Sequence, residues 1–99
     1  MSPTLVINAP WQKVQEENKR SFDDYAIPSA LYAQLSPGCR VVLLCKDKER
    51  RAEGTLASLD PKSKTNSGMQ RYDVHINGLI EVTYKSEKLL RTGVAVLWK

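Results

Sequence analysis

The chain has 99 residues, of which 41% are hydrophobic and 26% charged, with five glycines, five prolines and two cysteines. That length suits one small domain and excludes two independent cores. No apolar run approaches the roughly 18–20 residues of a membrane-spanning helix, and Met1-Ser2-Pro3-Thr4 lacks the basic and apolar regions of a secretory signal, so a cytoplasmic protein away from the membrane is expected. The net charge of +4 is uneven: residues 1–36 sum to −1, whereas 37–99 hold twelve basic and seven acidic side chains. A basic second part favours polyanion partners, though such a surplus also serves solubility.

In chain order, the short apolar stretch Leu5-Val6-Ile7 precedes Asn8-Ala9-Pro10, a helix-start signal. Residues 11–19 then read as a helix with a narrow apolar stripe at Trp11 and Val14. A second helical turn is expected over 28–35, stopped by Pro37-Gly38. These pieces make residues 1–36 an N-terminal extension with short helices.

From Gly38 the pattern turns to strands. Arg40–Lys46 is a dense apolar strand, closed by the charged turn 47–51. Ala52–Asp60 follows, with Gly54 marking a bend or bulge, and then a polar turn-rich loop over 61–68. Met69–Ile76 alternates, placing Tyr72, Val74 and Ile76 on one face; Leu79–Lys85 alternates too, with Ile80, Val82 and Tyr84 opposite Glu81 and Thr83. Asn77-Gly78 between them signals a hairpin. A two-residue loop would set Val74 against Glu81, so parity requires an odd loop, with Gly78 in the left-handed conformation. Residues 86–91 read as a helical turn and Val94–Trp98 as a fifth strand. The expected core is Val42, Leu44, Leu56, Leu59, Val74, Ile76, Ile80, Val82, Val96 and Trp98.

Five short strands in about 60 residues predict a mainly β, five-stranded small barrel over 37–99 behind the helical extension. Over residues 37–98 the chain resembles the SH3-like barrel superfold, on Pro37-Gly38-Cys39-Arg40-Val41-Val42-Leu43, Ala52-Glu53-Gly54-Thr55-Leu56, Tyr72-Asp73-Val74-His75-Ile76 and the turn at Glu87–Leu90. The resemblance is to a fold, and it implies Tudor-like, KOW-like or chromo-barrel binding modules, or the type II dihydrofolate reductases. Those reductases carry a Val-Gln-Ile-Tyr motif; here Ile80-Glu81-Val82-Thr83-Tyr84 has an acid instead of the glutamine, unfavourable in a pore for anionic ligands. Fold alone fixes no function.

Few groups suggest catalysis. His75, the only histidine, shares a strand face with Arg71 and Asp73, with Glu81 expected across the hairpin, a cluster that could form a general base; a solvated mixed-charge face explains the same residues and is the reading preferred. Cys39 and Cys45 would lie about 20 Å apart on one strand, beyond the roughly 7 Å a disulfide spans. With one histidine and no C-x-x-C pair, a zinc site lacks ligands. Neither an enzyme nor a cofactor or metal is expected. Tyr72, Tyr84 and Trp98 are assigned to the core rather than to an aromatic cage.

The expected function is therefore a small non-catalytic binding module. In a meander the loop 61–68 and the segment 85–93 would share one end, gathering Lys62, Lys64, Lys85, Lys88 and Arg91 into a nucleic-acid or polyanion site. The alternative is a protein-interaction or self-assembly module, homo-oligomeric or with another protein, using the N-terminal segment and a barrel edge.

Overall fold

A computed structural model describes residues 3–15, 21–64, 70–89 and 93–98. In chain order they form β1 (Pro3–Asn8), α1 (Trp11–Gln15), β2 (Ser21–Ala26), α2 (Ser29–Tyr32), β3 (Arg40–Cys45), β4 (Arg50–Lys64), β5 (Gln70–Val82) and β6 (Val94–Trp98). The strands make one sheet, ordered β2-β5-β4-β3-β1-β6, curled into a half-barrel. Every neighbouring pair is antiparallel except β1 and β3, which run parallel. The chain is mainly β, as expected, but the described residues form six strands rather than five. The segment read as a helical extension contributes two of them, and β1 lies between β3 and β6. No helix among the described residues is long and apolar enough to cross a membrane.

The parallel pair explains the two densest apolar runs. Leu5, Val6 and Ile7 on β1, and Val41 to Cys45 on β3, are all buried, because both faces of this part of the sheet are covered. The inner face packs Leu5, Ile7, Val41, Leu43, Leu56, Val74, Ile76 and Val94 around Phe22 of β2. The outer face packs Val6, Val42, Leu44 and Ala95 beneath Tyr84, Leu89 and Leu97. Residues 83–89, which have no regular structure, therefore lie over the outer face rather than forming a barrel strand and a helical turn.

The expected hairpin at Asn77-Gly78 is absent: β5 runs through these residues along the fifteen-residue β4. Glu53 pairs with Ile80 and Thr55 with Asn77, so β5 bulges there by one residue. Gly78 does adopt the expected positive φ, +64°. Opposite the bulge, a β-carbon on Gly54 would lie 2.6 Å from Ile76 Cγ2 and 2.8 Å from the Asn77 carbonyl oxygen. Only glycine leaves the backbone room to approach.

The extra residue inverts the side-chain phase of β5. Ile76 faces the inner core, then Leu79 does; Ile80, expected inside, is 64% exposed. Trp98, also expected inside, is 52% exposed. Of the other expected core positions, Val42, Leu44, Leu56, Val74 and Ile76 are buried, whereas Leu59, Val82 and Val96 are half-buried. β4 also continues through Pro61 to Lys64, into the expected loop; residues 65–68 of that loop lie outside the described residues, as do 16–19 of the longer first helix expected.

Candidate functional site

The expected basic end depends on the missing hairpin. Lys62 and Lys64 belong to the last residues of β4, where Lys62 pairs with Asp73 at 3.4 Å. Lys85 and Lys88 are exposed on the segment after β5, and the Lys85 carbonyl accepts a hydrogen bond from Arg51 Nη1 at 2.8 Å. Arg51 is the second residue of β4 and Lys62 the thirteenth, so the two lysine groups are associated with opposite ends of that strand. Arg91 lies outside the described residues. Because β5 continues where a hairpin was expected, Lys85 and Lys88 join the end that carries the β3–β4 turn. Counting residues 46–53, 81, 85, 87 and 88, six basic side chains there meet five acidic ones.

Much of that charge is internally matched. Arg51, 6% exposed, donates from Nε to Glu53 Oε2 at 3.2 Å and from Nη1 to Glu87 Oε1 at 3.3 Å; Arg40 also pairs with Glu53. The pairing satisfies a charge that would otherwise be costly to bury. It fastens residues 85–87 to the sheet beside the outer core. Arg50 reaches Glu81 at 3.1 Å and lies 4.9 Å from the Trp11 ring centroid, an arrangement that attracts the guanidinium to the ring face.

The His75 cluster is differently composed from expectation. His75 Nε2 meets Asp60 Oδ2 of β4 at 2.7 Å, while Glu81 stands beyond the bulge with Arg50. Cys39, just before β3, and Cys45, its last residue, are both buried thiols. Burial, reinforced by the nearby charges of Asp47 and Glu81, pushes the Cys45 thiol up to about 11, which opposes use as a nucleophile. Burial likewise raises Cys39. Among the described residues no group of three or more His, Cys, Asp or Glu side chains converges as metal ligands.

One concave feature combines the two parts of the chain. A cleft of about 360 Å³ lies between residues 32–37 and β4, lined by Tyr32, Leu35, Pro37, Leu56, Ser58 and Leu59 among others. The local sequence builds it. Pro28 precedes α2, its carbonyl accepting the Leu31 and Tyr32 N–H groups; Gly38, at φ +95°, then turns the chain into β3. Two bonds tie this turn to β4: Gly38 N–H to the Leu56 carbonyl at 2.8 Å, and Leu56 N–H to the Cys39 carbonyl at 2.7 Å.

Aromatic side chains hold the rim. Tyr32, 42% exposed, stacks on Tyr72 of β5 with centroids 4.7 Å apart and planes inclined by 10°. Trp98 Nε1 donates to Gln34 Oε1 from the far side of the sheet. Residues 28–37 thus reach from β5 to β6. Neither the apolar cleft nor the exposure of Trp98 was anticipated from the sequence; the Leu31, Tyr32 and Leu35 stripe was the only local signal, and it reads as ordinary packing. No protein-family model, curated protein or solved structure matches this chain.

Proposed function

We propose that the protein is a small non-catalytic protein-interaction module whose recognition site is the cleft between residues 32–37 and β4. The observation that carries this reading is the cleft itself: a concave, mainly apolar surface with an exposed tyrosine on its rim and two serines among its lining residues. Sites that recognise uncharged groups combine an apolar wall with a few polar atoms in this manner. A flat ring such as Tyr32, already stacked on Tyr72, offers contact area with little conformational entropy left to lose. Among the described residues no charged side chain lines the cleft, which favours an apolar peptide segment over a polyanion. The polyanion reading through Lys62, Lys64, Lys85, Lys88 and Arg91 has less support, because its described lysines are divided between the ends of β4.

A phage-displayed library of random peptides, selected on the intact protein, tests the reading. Enriched peptides should bind the Leu59→Glu and Tyr32→Ala variants at least about tenfold more weakly, and bind Lys85→Glu/Lys88→Glu unchanged. Failure to enrich any peptide, or enrichment indifferent to the cleft variants, overturns it. Binding of a fluorescent oligonucleotide that Lys85→Glu/Lys88→Glu abolishes would return the polyanion reading instead.

A further inference from the structure

The cleft lies where β4 outruns its partner. β3 begins at Arg40, opposite Thr55, and two further bonds, Gly38 N–H to the Leu56 carbonyl and Leu56 N–H to the Cys39 carbonyl, end the pairing on that side. β4 itself continues to Lys64, paired beyond that point only with β5 among the described residues. The preceding residues 32–37 do not prolong β3. Gln34 donates its N–H to the Leu31 carbonyl and Leu35 to that of Tyr32, within their own turn. Beyond Leu56, one edge of β4 is therefore left without a neighbouring strand, and Ser58 and Leu59 of that stretch line the cleft.

The ladder identifies which backbone groups point into that gap. Antiparallel pairs alternate between bonded and non-bonded. Leu56 bonds to Cys39, so it stands at a non-bonded position against Ile76 of β5. The register then shifts between Leu56 and Ser58, which moves the phase by one residue. Beyond the shift the phase follows from the far side of β5. There the Gln70 carbonyl accepts the Ile27 N–H, so Tyr72 and Val74 also face β2, while Asp73 and His75 face β4. Their partners Asp60 and Ser58 are thus bonded to β5, and Leu59 and Pro61 direct their groups into the gap. Pro61, which has no N–H to give, falls where β5 requires none. Three groups are presented: the Leu59 N–H, the Leu59 carbonyl and the Pro61 carbonyl. Among the described residues no backbone hydrogen bond from outside the ladder reaches them. Leu59 is half-buried and Pro61 exposed, so solvent reaches this edge.

We propose, resting on the peptide-binding reading of the cleft, that its ligand is an extended segment that joins β4 as an added antiparallel strand along Leu59 to Pro61. Antiparallel pairing exchanges both bonds between one pair of residues, which suits an edge where a single residue offers both groups. The ligand residue opposite Leu59 gives its N–H to the Leu59 carbonyl and accepts the Leu59 N–H. The ligand residue two positions earlier donates to the Pro61 carbonyl. Neither can be proline, which lacks the N–H each must give. Both side chains fall on the face of Leu59, where Leu56, Leu35 and Tyr32 line the cleft, and both are therefore apolar. The residue between them lies beside Asp60 on the opposite face, which disfavours an acidic side chain there.

Amide hydrogen exchange on the intact protein, with backbone N-methylation of a peptide enriched by the phage selection, tests this. In the free protein the Leu59 amide should exchange at least about tenfold faster than those of Ser58 and Asp60, which are bonded to β5. The enriched peptide should slow Leu59 and leave the other two nearly unchanged. Methylating the peptide's amides one at a time should give an alternating pattern. Two amides two residues apart should each weaken binding about tenfold when methylated, and the one between them should change it little. Leu59→Pro removes the outward N–H and no bond to β5, and should weaken binding about tenfold more than Leu59→Ala, which keeps that N–H. Should Leu59→Pro not fold, the methylation series decides. Binding that the cleft variants weaken but methylation leaves intact, or weakens alike at every position, overturns the added strand and leaves the peptide site standing. Protection of the Leu59 amide in the free protein does the same. Failure to enrich any peptide overturns both.

Discussion

At the scale of single residues, the chain places several ionisable groups where water is scarce, and their treatment differs with their chemistry. Arg51 keeps its charge because Glu53, Glu87 and the Lys85 carbonyl surround it. Cys45 can instead stay neutral, and its surroundings enforce this. Its thiol ionises near 9.0 in the absence of the fold and near 11 within it, burial being the larger cause. The folded state therefore holds a proton that the unfolded chain releases first, and stability should fall as pH rises from about 9 towards 11. Below 9 this contribution is fully present. Urea denaturation across pH 8–11 should show the midpoint falling in that window, and Cys45→Ala should flatten the fall after allowing for its own cost at neutral pH. The same position should resist a thiol reagent at pH 8 until denaturant is added.

At the scale of elements, the β4–β5 pair shows what sequence reasoning reaches and where it stops. The apolar run Val41 to Cys45 is legible as a buried strand because its pattern is local. Parity also called for an odd hairpin loop at Asn77-Gly78 with Gly78 in the left-handed conformation; Gly78 has that conformation, but a one-residue bulge takes the place of the loop. That bulge was not legible. Asn-Gly serves a hairpin or a bulge equally well, and the arbiter, Gly54, acts from another strand. Once the chain continues straight, Ile80 turns outward and Lys85 and Lys88 move to the other end, so one local ambiguity rearranged the expected site. The cleft was illegible for a related reason: Leu35 and Leu59 become neighbours of one cavity only through the β3–β4 pairing. Gly54→Ala should thus cost more than Gly78→Ala. At Gly54 the new methyl meets backbone oxygen and a core side chain, for about 2–3 kcal/mol. At Gly78 it meets nothing within 4 Å and only the positive φ is penalised, about 1 kcal/mol. Thermal or chemical denaturation of the two variants reads the difference directly.

At the scale of the whole molecule, β1 is the strand on which the sheet's continuity depends. Among the described residues it is the only neighbour of β6 in the sheet order and the sole link between β6 and β3. Three of its side chains, Leu5, Val6 and Ile7, divide between the two cores. Fully burying one such side chain is worth about 1.5–3 kcal/mol, so together they approach the net stability of a small domain. Removing residues 1–8 should consequently abolish cooperative thermal unfolding followed by circular dichroism, rather than trim an accessory arm. Val94 and Ala95 would be uncovered by the same deletion, and increased dye binding to exposed apolar surface should accompany the loss.

The pairing of β1 with β6 also dictates an order of events in time. Leu5, Val6 and Ile7 leave the ribosome well before the strand that flanks them on one side, which is translated only after nearly ninety further residues. Their other neighbour, β3, arrives sooner, across a parallel connection that spans residues 9–39. Closing such distant pairs carries a loop-entropy cost before any reward, and proteins dominated by them fold slowly. Between the two the nascent chain therefore carries a sticky triplet that a holding chaperone would recognise, and the release of that triplet waits on the arrival of Val94.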